Sequence, residues 1–187
     1  MVANGLAYAA QHWQPNLILE HFPLWPLDSP FPEFKPWQLL TYGFLHDMGG
    51  LGHIFFNMFG LWMFGRDLER MAGAQRFLVY YLTCVIGAGV VQLIVASVTG
   101  GIAPTVGASG GVFGLLLWYG LTFPNRTVVL LIPPIPMKAK YFVLCYGLLE
   151  LYLGVSGNAP TVANFAHLGG MLFGFLLLKF WQRKRRL

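Results

Sequence analysis

The sequence predicts an all-α polytopic membrane protein: a six-transmembrane-helix bundle with a large interfacial first loop. Three observations lead there. Only 10% of the 187 residues are charged and 56% are hydrophobic, against roughly 25% charged in soluble domains, so a soluble core of this size could not bury the apolar surface. Apolar runs long enough to approach the roughly 20 residues of a spanning helix recur along the chain. The lysines and arginines, finally, fall almost entirely on one side of a six-span arrangement. The length suggests one domain, residues 1–187.

Taken in order, MVANGLAYAA is too short to span unless its helix continues through Gln11-His12-Trp13. Span one is therefore placed at about 1–13, and the chain is expected to begin partway into it. The segment lacks the charged, apolar and cleavage regions of a signal peptide. Residues 14–48 read as a large outer loop holding half of the 12 prolines and the rings of Phe22, Trp25, Phe31, Phe34 and Trp37, as expected of a segment lying in the interface. Span two, 49–65 (GGLGHIFFNMFGLWMFG), is short but dense in Phe, Met and Trp. Span three, 77–98, and span four, 105–123, are cleanly apolar, and span five, 141–156, is interrupted only by Glu150. Span six covers 162–181. Between four and five, Pro133, Pro134 and Pro136 break the run VVLLIPPIPM, which predicts a turn and no seventh span.

Charge sets the orientation. Arg66, Arg70, Arg76, Arg126, Lys138, Lys140, Lys179 and the tail Arg183-Lys-Arg-Arg186 share one side, with Lys35 alone opposite. Glu20, Asp28, Glu33 and Asp47 lie in the first loop. Positive charge marks the cytoplasmic face, so both termini are expected there. This accounts for the net charge of +5 with no nucleic acid partner. Cys84 and Cys145 both lie in apolar runs and offer neither a disulfide framework nor metal-ligand spacing.

Polar side chains inside a membrane are costly and point to function. Spans two, four and six run in the same direction, and each carries such a residue, or in span two a pair, near its outer end. His53 and Asn57, at i and i+4, share one face of span two. Ser109 is expected about four residues into span four, roughly 6 Å down, and His167 about five residues into span six, roughly 7 Å down. Gly110 and Gly114 on span four, with Gly170 and Gly174 on span six, form small-xxx-small faces that let backbones approach closely. That approach would bring Ser109 and His167 within hydrogen-bond reach.

Singly, each residue has a plain reading: Ser109 as packing, His167 as an interhelical hydrogen bond, Asn57 as a polar clasp. Their shared depth on three co-directional helices is what those readings leave unexplained. A serine beside an imidazole base is an activated nucleophile. The oxyanion it generates needs preorganised donors, for which His53, Asn57 and the Ser109 N–H are candidates. No Asp or Glu occurs in this layer of spans two, four and six or beside His167 in sequence, so a dyad is expected and not a triad. Glu150, towards the outer end of span five, reads as a structural residue that is hydrogen-bonded or faces water. His12, His21 and His46 receive no role. His46 and Asp47 could form a metal cluster with His53 and His167, but H-E-x-x-H spacing is absent; no metal and no cofactor is expected.

Other activities fit less well. Gly107-Ala-Ser109-Gly-Gly111 matches G-x-S-x-G, but a lipase elbow needs a preceding strand in an α/β pattern, which VTGGIAPTV between two apolar helices does not provide. A channel or transporter predicts polar residues continuing inward. Only Tyr119 and Thr122 follow in span four, and none follow in span six before Lys179.

These residues resemble the rhomboid family of intramembrane serine proteases. The match rests on His53-x-x-x-Asn57, Gly107-x-Ser109-Gly110 and Ala166-His-x-x-Gly170-x-x-x-Gly174. It is supported by Gly65-Arg-Asp-Leu-Glu69-Arg-Met-Ala-Gly73 and the PNR…PIPMKAKY connection, and covers about Trp37 to Trp181. The resemblance implies a rhomboid-like six-helix bundle with Ser109 and His167 as a catalytic dyad. It implies His53 and Asn57 as oxyanion donors and a water-filled cavity open to the outer side of a bacterial inner membrane. Gly107, Gly110, Gly114, Gly170 and Gly174 would support the packing. The implied partners are membrane lipids and single-span transmembrane protein substrates, cut where helix-destabilising residues free the backbone carbonyls. Span five and the loop Gly157–Ala163 would admit and cap the substrate. Trp37-Gln38 replaces the family's Trp-Arg pair, which predicts looser anchoring of the first loop. Phe113 stands where some members have Tyr, and its ring is expected to pack on His167. The alternative implied function is a catalytically inactive rhomboid-like binding or quality-control module, though such relatives typically lack the serine or the histidine.

Overall fold

The computed structural model describes residues 1–129, 134–157 and 163–184. Helices α1 (Val2–Trp13) and α2 (Pro15–His21) lead into an irregular stretch. A short α3 (Gln38–Thr41) then runs straight into a 3-10 turn (Tyr42–Phe44). The long helices α4 (Gly52–Ala72) and α5 (Ala74–Thr99) follow, then α6 (Ser109–Thr122). Strands β1 (Thr127–Val129) and β2 (Pro136–Lys138) pair antiparallel with Thr127 opposite Lys138. Helices α7 (Ala139–Ser156) and α8 (Asn164–Lys184) complete the fold. The hairpin stands where a simple turn was expected. Pro133, Val162, the capping residues 158–162 and the tail arginines Arg185 and Arg186 lie outside the described residues.

Among the described residues two helices, Ala74–Thr99 and Ala139–Ser156, are long and apolar enough to cross a membrane, and Ser109–Thr122 is apolar but shorter. α4 continues seven residues past the end expected for span two, through Arg66, Asp67, Glu69 and Arg70. Those charges end an apolar run, but three of them, Arg66, Glu69 and Arg70, are good helix formers. What stops the helix is Gly73, whose φ of 83° is easily reached only without a side chain.

The larger correction concerns α6. Its helix begins at Ser109 itself, not four residues earlier. Thr105 is engaged in a bridge with Leu24, each N–H donating to the other's carbonyl at 3.0 and 2.9 Å. The Gly107 N–H donates to Tyr42 O at 3.0 Å. The first-loop backbone thus claims the groups that an extra helical turn would have used.

α5 lies against both α6 and α8, and the glycines make the three-helix crossing tight. A Cβ on Gly170 would collide with the carbonyl oxygen of Gly110. The Cβ position of Gly114 is taken by Cys84 and that of Gly174 by Tyr80, both from α5. The two glycine faces therefore meet each other and α5 together. Tyr80 Oη donates to Gly114 O at 2.8 Å across this crossing.

The first loop is held firmly. Gln38 is 1% exposed; its amide donates to His21 O and Glu33 O, and its oxygen accepts from Trp25 N. Trp37 Nε1 donates to His21 O as well. A neutral amide that both donates and accepts binds three backbone groups here, so the expected loosening does not occur. α1 docks with its polar side inward. Gln11 exchanges two hydrogen bonds with the His46 backbone and Asn4 donates to Gly43 O, while Val2, Leu6 and Trp13 are exposed.

Candidate active site

Three helix N-termini converge. Ser109 is the first residue of α6, His167 the fourth of α8 and His53 the second of α4. Each end carries backbone N–H groups without intrahelical partners and the positive pole of a helix dipole. His167 Nε2 stands 2.8 Å from Ser109 Oγ. The Phe113 ring, one turn along α6 from the serine, stacks on His167 at 4.3 Å between centroids and 4° between planes.

His53 is oriented through its other nitrogen. The Asp47 backbone N–H donates to His53 Nδ1 at 3.0 Å, so the neutral ring carries its proton on Nε2. Gly107 is not in a helix; its φ is 133°, and the point a Cβ would occupy lies 3.0 Å from His53 Nε2 and 3.4 Å from Ser109 Oγ. A side chain there would fill the space between the two. Asn57 uses one amide hydrogen on His53 O at 2.9 Å, leaving one for other partners.

Glu150 joins this group. Its Oε2 lies 2.9 Å from His167 Nδ1 and accepts from Asn164 Nδ2 at 2.6 Å. The contact to the ring is close but not well aligned as a hydrogen bond, and Nδ1 has no aligned partner. A cavity of about 440 Å³ runs from Ser109 and Glu150 between α4, α6 and α7, mostly apolar and lined also by Asn57, Met63, Phe113 and Tyr146. Among the described residues no three His, Cys, Asp or Glu side chains stand close enough to hold a metal ion.

A model of the Rhomboid domain matches residues 33–183. The chain belongs to the Rhomboid family. Members of this family are integral membrane proteins. The rhomboid protease GluP of Bacillus subtilis is 32% identical over 146 residues, covering 74% of this chain and 25% of the relative. RHOMBOID-like protein 4 of Arabidopsis thaliana is 34% identical over 147 residues, 75% of this chain and 33% of the relative. The rhomboid protease GlpG of Yersinia pestis is 29% identical over 163 residues, 86% of this chain and 52% of the relative. The chain thus spans about a quarter to a half of these rhomboids' own length.

Within this rhomboid domain, Ser109, His167, His53 and Asn57 come together as one cluster, while Gly110, Gly114, Gly170 and Gly174 lie at the helix crossing beneath it. Glu150, expected to be hydrogen-bonded or to face water, is hydrogen-bonded to Asn164 and also stands beside His167. Glu150 stands six residues before Ser156, the end of α7, about 9 Å along the helix.

Proposed function

We propose that this rhomboid is an intramembrane serine endopeptidase that cuts membrane-protein substrates in or near a transmembrane segment, with Ser109 as nucleophile and His167 as base. The observation that carries the reading is the 2.8 Å contact between Ser109 Oγ and His167 Nε2 at two converging helix ends. Ser109 Oγ attacks the scissile carbonyl carbon as its proton passes to His167 Nε2. The resulting oxyanion is met by the Nε2–H of His53, the free amide hydrogen of Asn57 and the N–H groups opening α6. The C–N bond then breaks, and His167 returns the proton to the leaving amine. Water, deprotonated by His167, cleaves the acyl ester, and the proton goes back to Ser109 Oγ.

The same geometry supports a reading of the membrane setting. We read α1, α4, α5, α6, α7 and α8 as six spans, with both termini cytoplasmic and the site opening to the outer side of a bacterial inner membrane. A helix of 14 residues is about 21 Å long, short of a hydrocarbon core of about 30 Å. The serine that begins α6 would therefore lie below the membrane surface because its helix is short. Apolar side chains exposed on the helices, among them Phe55, Trp62, Leu148 and Phe175, suit lipid contact. The cavity beside Ser109 suits a mostly apolar segment of a single-span substrate.

The test is cleavage of a reporter transmembrane substrate in liposomes. The parent is expected to cleave, and Ser109→Ala to fold with the parent's melting temperature and not cleave. Equal cleavage by the two would overturn the assignment, and an intact fold with no activity in either would favour the inactive binding module.

A further inference from the structure

We infer that Glu150 is a positioning residue for His167, which gives this chain a Ser109–His167–Glu150 triad. The inference rests on the reading of Ser109 and His167 as nucleophile and base. For His167 to accept the serine proton at Nε2, its own proton must sit on Nδ1. The group that faces Nδ1 is a carboxylate oxygen at 2.9 Å. A carboxylate can only accept a hydrogen bond, so it selects the Nδ1–H form of the ring and leaves Nε2 with its lone pair towards Ser109 Oγ. When the serine proton arrives, the imidazolium has a counter-charge already in place, the arrangement that serves serine-protease triads.

The carboxylate is itself fixed. Asn164 and His167 are three residues apart, on one face of α8, and both approach Oε2 of Glu150. Glu150 is 7% exposed. Phe113, stacked flat on the ring, constrains its tilt, and the acid sets which nitrogen carries the proton. A plain structural role, a clasp between α7 and α8 through Asn164, would use the same carboxylate without needing the ring. The experiment must separate these two roles.

The variants are Glu150→Gln and Glu150→Asp, purified with the parent and Ser109→Ala and assayed in liposomes. Glutamine keeps the size and can still accept from Asn164, but it can turn an N–H₂ towards Nδ1 and favour the wrong tautomer. Its kcat is expected to fall about 100-fold, within the roughly 10⁴-fold effect of Asp→Asn in a serine-protease triad. KM and melting temperature should stay near the parent's. Phosphonylation of Ser109 by a small fluorophosphonate, which needs the base but no transmembrane substrate, should slow in parallel. Glu150→Asp should recover part of both rates. A Glu150→Gln kcat within twofold of the parent would overturn the inference. So would unchanged phosphonylation, or a fall in melting temperature and activity together with Asp no better than Gln. A parent no more active than Ser109→Ala would overturn the functional reading and this inference with it, whereas an active parent beside an equally active Glu150→Gln overturns the inference alone.

Discussion

The helices carrying Ser109 and His167 meet backbone to backbone, whereas the helix carrying Glu150 meets them through side chains. At the first contact the Gly110 carbonyl oxygen fills the place of a Gly170 Cβ. Neither partner has a rotamer to change. At the second, the nearest atoms to an added Gly147 Cβ are the Met171 Cε at 3.6 Å and Sδ at 3.9 Å. Leu144, Leu148, Leu151, Tyr152 and Val155 of α7 are exposed. The distance from Ser109 to His167 is thus set by a contact that cannot yield, and the distance from His167 to Glu150 spans an interface of side chains.

The sharpest way to break this contrast is Gly170→Ala. The new Cβ meets a carbonyl oxygen and the backbone behind it, so α6 and α8 must separate. Overpacking usually costs 1–3 kcal/mol, and a collision with backbone belongs at the top of that range, about 3 kcal/mol. Activity should fall further than stability, because a misplacement of about 1 Å between reacting groups costs around 10²-fold. Thermal unfolding in detergent together with liposome cleavage checks both. A variant that keeps the parent's melting temperature and rate would mean that the crossing has slack.

The second test concerns how each region treats a buried ionisable group. On the α7 side Glu150 is met by two partners. Between α1 and the start of α4, His46 is 1% exposed and, among the described residues, neither ring nitrogen has a hydrogen-bond partner. Burial, with the neighbouring His53 ring adding, pulls its pKa from the usual 6.5 down to about 4; Asp47 is the nearest acid in sequence. The unfolded chain takes up a proton here below about pH 6.5, but the folded chain does so only near 4. Stability is therefore fully present above 6.5 and falls as the pH drops through that window, by about 1.4 kcal/mol per unit, or about 2 kcal/mol by pH 5. His46→Leu should flatten this slope. Parallel melting curves for parent and variant between pH 7 and 4.5 would show that His46 is not held neutral.

Much of this contrast was legible beforehand, and the illegible parts share a cause. Long apolar runs and one-sided charge are local signals, so the helices could be placed from them. Ser109, His167, His53 and Asn57 stood out because polar groups are scarce in such runs. The start of α6 could not be read, because Thr105–Ala108 is small and apolar in sequence and is held out of the helix by Leu24 and Tyr42, more than 60 residues away. Gln38 looked like a weakened anchor until its three backbone partners were known. Asn4 and Gln11, polar residues on an otherwise apolar α1, are the side that docks. In each case backbone groups are satisfied from a distant segment, by its backbone at α6 and by polar side chains at Gln38, Asn4 and Gln11, which no periodicity reveals.

The mildest test uses the same substitution as the strongest. Gly147→Ala adds one methyl group to the middle of α7, where the nearest atoms are the end of a flexible methionine at ordinary contact distance. Alanine is favoured over glycine within a helix by about 1 kcal/mol, so the expected change is a melting temperature equal to the parent's or slightly higher. Cleavage should stay within twofold of the parent. Set beside Gly170→Ala, the pair holds the chemistry constant and varies only which interface receives the methyl group. If Gly147→Ala were as damaging as Gly170→Ala, α7 would be packed as rigidly as the α6–α8 crossing. The Glu150 contact would then be as fixed as the Ser109–His167 contact.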